Sequence, residues 1–147
     1  MMRALLAERF KLALHREMRG VQGFVLVRAS DQLGPGLRPA SVNCEENANG
    51  PRCSQGGITS NTFTAFGLPL TNVVRLIASQ MSAPIVDDTG LTGAFDVALH
   101  WSNDPGAGDD APVISTAIRE QLGLRLERRE VPIEVLVIDH IERPTAD

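Results

Sequence analysis

The spacing of apolar positions changes several times along this chain, and each change marks a new element. Met2, Leu5, Leu6 and Phe10 share one face of a helix over 3–10, which begins without a Ser, Thr, Asp or Asn cap. Phe10, Leu12 and Leu14 then alternate with Lys11, Ala13 and His15, as in a half-buried strand. The two glycines in 20–23 predict a turn, and the all-apolar run 24–27 predicts a central strand. Residues 30–57, rich in Gly, Pro and Asn, read as one long loop. β-branched and aromatic residues between Ile58 and Phe66 predict a strand.

Leu70, Val73, Val74, Ile77 and Met81 form the stripe of a helix over 69–82, ended by Pro84. Ile85 and Val86 make a short strand, residues 87–90 a turn, and Phe95, Val97, Leu99 and Trp101 the apolar face of another strand. A polar loop over 102–112 carries Asp109 and Asp110, placed to cap and charge a third helix over about 112–122. Ile114, Ala117, Ile118 and Leu122 are its stripe and Gly123 its C′ residue. Leu124 and Leu126 open a strand, Val131 and Pro132 predict a turn, 135–138 a last strand apolar on both faces, and 142–147 a frayed tail.

Aligned, these elements repeat. Glu8, Leu12, Leu14 and Arg16 match Glu120, Leu124, Leu126 and Arg128 at a constant offset, and residues 25–27 match 135–137 after a shorter turn. The chain therefore reads as a single α+β domain of three helix–hairpin (αββ) units, 1–29, 58–101 and 112–141, with helices packed on a mixed or antiparallel sheet. The loop 30–57 lies between the first two.

Composition narrows the function. With 147 residues, 43% hydrophobic, and 14 basic against 18 acidic side chains, the chain is an ordinary globular domain with a net charge of −4. It has no basic cluster, so nucleic acid is not an expected partner. No apolar run approaches the ~20 residues of a membrane-spanning helix. Cys44 and Cys53 bracket a turn-rich loop and read as a local disulfide, the alternative being two reduced thiols. A zinc site would need two further ligands, and none stands at suitable spacing nearby. The disulfide implies an oxidising, extracytoplasmic compartment. The chain carries no signal peptide, so it reads as a fragment of a longer exported protein.

Candidate chemistry is sparse. His15 and His100 face outward on strands, and Asp96 shares a strand face with His100. These three are the candidate surface binding residues, and a metal there would need a third ligand supplied by the fold. No nucleophile elbow, phosphate loop or metal-ligand spacing occurs, so no catalytic residue, metal or cofactor is expected. Asp87 and Asp88 read as a turn, since adjacent strand residues point apart. Trp101 reads as core, and the charge run Arg125, Glu127, Arg128, Arg129, Glu130 as a solvated face.

Four stretches together resemble the C-terminal portion of a soil-associated family of uncharacterised proteins expanded in acidobacteria. They are 2–17, 84–96, the strand ending at Trp101, and 120–144. That resemblance implies export and a further N-terminal region, and carries over no activity. From Ile58 the element order also resembles the short N-terminal domain of secretins and TonB-dependent receptors, which implies periplasmic protein–protein contact. The expected function is thus a cell-envelope interaction module whose partner is another envelope protein. Exposed sheet edges or the 30–57 loop would make the contact. The alternatives are a hydrolase using His and Asp side chains on the open sheet face, or a structural or regulatory domain of a larger chain.

Overall fold

The computed structural model describes residues 2–104 and 111–144. Its elements are α1 (Met2–Phe10), β1 (Ala13–Arg28), β2 (Leu37–Pro39), β3 (Gly56–Ile58), β4 (Thr62–Pro69), α2 (Leu70–Met81), β5 (Ile85–Asp87), β6 (Ala94–His100), α3 (Ile114–Ala117, continued by a π-helical turn over Ile118–Leu122) and β7 (Leu124–His140). This is the α+β class expected, with one sheet ordered β5-β1-β7 and another ordered β2-β6-β4-β3. By contacts the chain divides into a larger unit, Gln22–Arg129, and a smaller one, Met1–Val21 with Glu130–Asp147.

Two expected turns are absent. β1 runs unbroken through Gly20 and Gly23, and β7 runs unbroken through Val131 and Pro132. The first and third helix–hairpin units are therefore each a helix followed by one long strand. The reason lies in partner choice. Glycine permits a turn but does not impose one, and neither Gly20 nor Gly23 has positive φ. Proline only removes a ladder donor, which costs little on an edge strand, and β7 is an edge of its sheet. Each strand finds its partner in the distant one instead of folding back on itself.

In the larger unit, the four-stranded sheet buries one face. Phe63, Phe95, Val97, Leu99 and Leu37 pack there against Leu70, Val73 and Ile77 of α2 and against Ile118 and Leu122. Trp101 is fully buried at the end of β6, with its indole N–H donating to Asn103 Oδ1 at 3.0 Å. The α2 stripe is buried as its spacing predicts, apart from a half-buried Met81. Asp87 accepts from the N–H and hydroxyl of Thr89, closing the expected turn. Gly123 takes φ +71° at the end of the third helix, which begins at Ile114 without a side-chain cap. Asp109 and Asp110 lie outside the described residues. β5 pairs with β1 in parallel, Phe24 opposite Ile85, so that sheet is mixed.

The expected loop 30–57 contains the three-residue strand β2 and the first two residues of β3. The expected strand over 58–66 is the end of β3, a tight turn closed by Thr59 N–H to Thr62 O at 2.9 Å, and β4. Three-residue strands holding Pro or Gly show no periodicity, which is why the pattern hid them.

In the smaller unit, β1 and β7 carry cross-strand pairs His15–Asp139 and Arg16–Glu134, whose order shows the strands running oppositely. The apolar stripe expected for α1 is not buried: Leu5 is 58% exposed and Phe10 half-buried. Glu142, expected in a frayed tail, is tied down. Its N–H donates to Phe10 O at 2.8 Å, and its carboxylate meets Lys11 Nζ at 3.0 Å.

Candidate functional site

The disulfide-bearing loop folds against the open face of the four-stranded sheet. Cys44 and Cys53 are bonded, with Cα atoms 5.3 Å apart. Cys44 N–H donates to Gly67 O at 2.8 Å, and Gly67 N–H donates to Asp96 Oδ1 at 3.0 Å. Gly67 sits at φ +62°, and a Cβ there would stand 2.4 Å from Val42 O and 2.6 Å from Cys44 Sγ. Only glycine gives both the left-handed backbone and the close approach of loop to sheet. The β4–β6 register shifts between Ala65 and Leu68, beside the contact of Gly67 with this loop.

Arg52 crosses from the loop to the sheet. Its guanidinium lies 3.7 Å over the Phe66 ring, and its Nη1 is 3.6 Å from Asp96 Oδ2. Its backbone has φ +69°, a conformation costing about 1–2 kcal/mol for a side-chain-bearing residue. Arg38 on β2 stands in register with Asp96 on β6. Beside these groups, Gly36, Ala98 and Thr64 floor a shallow trough of about 340 Å³. Asp96, a candidate from sequence, is thus engaged by a backbone N–H and an arginine.

His100 shares the Asp96 face, as alternation predicts, but four residues along β6, about 13 Å away. Its Nδ1 is 3.0 Å from Thr62 Oγ1. The third candidate, His15, belongs to the smaller unit. Its Nδ1 meets the Asp139 carboxylate at 2.8 Å and its Nε2 meets Glu17 Oε1 at 3.0 Å. Hydrogen bonds to Asp139 first and Glu17 second hold the His15 pKa above 6.5. Glu17 is held low by its hydrogen bonds to Arg19 and then His15. Within the larger unit, Asp96 and His100 are engaged by different partners. Among the described residues, no group of three or more His, Cys, Asp or Glu side chains is placed to hold a metal ion. Sequence reasoning missed Arg38, Arg52 and Phe66. Phe66 left a signal: it continues the open-face series Thr62, Thr64, where a large aromatic is out of place unless covered.

The two sheet edges differ. At β2, Ala98 N–H to Gly36 O and Ala40 N–H to Ala94 O mark which groups face β6, so Leu37 and Pro39 turn theirs outward. Leu37 N–H is already bonded to Gly34 O at 3.2 Å, and Pro39 has no N–H. That edge therefore turns carbonyls outward but no free N–H, and so lacks the donors that a pairing strand needs. At β3, the Thr59–Thr62 hydrogen bond sets the alternation, so Gly57 bonds toward β4 and Ile58 turns its N–H and C=O outward. Ile58 is 52% exposed beside a cleft of about 340 Å³ bounded by Gly56, Gly57 and Phe63. The β3 edge is open.

No curated protein and no solved structure matches the chain. The model of one family, described as a protein of unknown function (DUF3738), matches residues 1–141, and the chain belongs to that family.

Proposed function

We propose that this chain is an extracytoplasmic interaction module that captures an extended segment of another envelope protein on its β3 edge. The observation that carries the reading is the asymmetry of the four-stranded sheet: Leu37 and Pro39 close one edge, and Ile58 leaves the other open. An open edge recognises a strand by main-chain hydrogen bonds, and side-chain pockets on either face supply selectivity. Here Ile58 offers apolar surface on the core side, while Gly57 leaves the opposite face unobstructed toward Thr64 and Ala98. The Cys44–Cys53 bond supports an oxidising compartment. No helix among the described residues is long and apolar enough to cross a membrane, which accords with a domain working beside one.

Selection of a random peptide library displayed on phage against the oxidised chain tests this. Enriched peptides rich in β-branched residues are expected, with binding weakened at least tenfold in Ile58→Lys, which puts a charge on the edge. Ile58→Pro, which removes one outward donor, is expected to do the same while circular dichroism stays unchanged. Enriched peptides that bind both variants as well as the wild type would overturn the edge reading, as would a selection that enriches nothing.

A further inference from the structure

The trough on the open face carries its own chemistry, and its biological use rests on the edge-capture reading. Arg38, Arg52 and Asp96 all line it, two guanidinium groups with one carboxylate. The local formal charge is 2 − 1 = +1, on a chain whose net charge is −4. Asp96 is already occupied by Gly67 N–H at 3.0 Å and by Arg52 at 3.6 Å. Arg38 is exposed and makes no ion pair or side-chain hydrogen bond among the described residues. Arg52 has one face of its guanidinium plane held by Phe66 at 3.7 Å, and its side chain remains 54% exposed. A planar group clamped on one face keeps its in-plane N–H donors for a ligand, and fork-shaped donors match the two oxygens of a carboxylate. The floor is small: Gly36, Ala98 and Thr64 leave the space that larger side chains would fill. Gly57 prolongs that row to the open β3 edge, since it pairs with Thr64, which pairs with Ala98.

We infer that the trough binds a carboxylate carried by the captured segment, with Arg38 and Arg52 as its donors. The charge balance selects a monoanion, because a phosphate dianion would bring its second charge against Asp96. The carboxylate can be an acidic side chain or a chain terminus, two sources of the same chemistry.

Three matched probes separate the sources: N-acetyl-glutamate N-methylamide, N-acetyl-glutamine with a free carboxylate, and neutral N-acetyl-glutamine N-methylamide. Each is titrated into the ¹⁵N-labelled oxidised chain, with inorganic phosphate as a fourth arm. Saturating shifts at the Thr64 and Ala98 amides and at the arginine Nε–H signals are expected with one or both acids. The neutral probe should bind at least tenfold more weakly, and Arg38→Gln should weaken the acid at least fivefold with the remaining spectrum unchanged. Binding by the side-chain acid alone assigns a Glu or Asp, and binding by the free-carboxylate probe alone assigns a C-terminus. Equal binding by the neutral probe, no effect of Arg38→Gln, tighter binding of phosphate than of either acid, or no shift at these signals would each overturn the inference. These probes are too short to form a strand. Their failure would leave edge capture standing, and loss of edge capture with acid binding retained would do the reverse.

Discussion

Opening the Cys44–Cys53 bond is the perturbation whose size follows most directly from the geometry. The bond closes a loop of sequence separation 9, and the chain-entropy relation for that length gives about 2.6 kcal/mol at 25 °C. The native loop stays attached by weaker ties: Cys44 N–H to Gly67 O, Asn72 to Glu45 at 2.9 Å, and Arg52 on Phe66 and Asp96. Those ties hold the loop in place only while its ends are joined, so the loss should appear as lowered global stability and as release of Arg52. Urea unfolding followed by Trp101 fluorescence compares the oxidised chain with the Cys44→Ala, Cys53→Ala double variant. At an m-value of roughly 1–3 kcal/mol per molar, the midpoint should fall by about 1–2.5 M. The ring-current shifts that Phe66 imposes on the Arg52 side chain should vanish with it. An unchanged midpoint, or two titratable thiols per denatured chain without reductant, would refute the reasoning.

Gly67→Ala is expected to cost about 1–2 kcal/mol from its left-handed backbone alone, and more from the clash with Val42 O and Cys44 Sγ, read by the same urea assay. Trp101→Ala, which empties a fully buried site, should cost about 3–5 kcal/mol, whereas Met18→Ala, 63% exposed, should stay within about 0.5 kcal/mol. The His15 ring, followed by proton NMR, should titrate above 6.5, and Asp139→Asn should bring it back toward that value. Because the folded pKa is the raised one, the contribution of His15 to stability is complete below about 6.5 and is lost as pH rises through the raised value.

What could be read from sequence followed local physics. The α2 stripe, the Trp101 strand, the Asp87 turn and the Gly123 cap each depend on neighbours within a few residues, and each formed as expected. What could not be read depends on distant partners. Whether 20–23 turns or continues is decided by β7, more than a hundred residues on, and no window over β1 contains that information. The site shows the same division. Alternation puts Asp96 and His100 on one face, yet the partner of Asp96 is Arg52, which the disulfide-bearing loop carries to the sheet. The repeat adds a further contrast. Ala117, Ile118, Leu122 and Leu124 are fully buried, while their equivalents Leu5, Leu6, Phe10 and Leu12 are exposed or half-buried. Like patterns in sequence meet unlike surroundings in the fold.

The central claim, an open β3 edge opposite a closed β2 edge, is tested most directly by amide hydrogen exchange with a selected peptide present and absent. In the free chain, Leu37 N–H should exchange slowly and Ile58 N–H at nearly the rate of an unstructured peptide. Bound peptide should slow Ile58 by at least a hundredfold while leaving Leu37 unchanged. An Ile58 amide already protected in the free chain, or protection appearing at Leu37 instead, would contradict it.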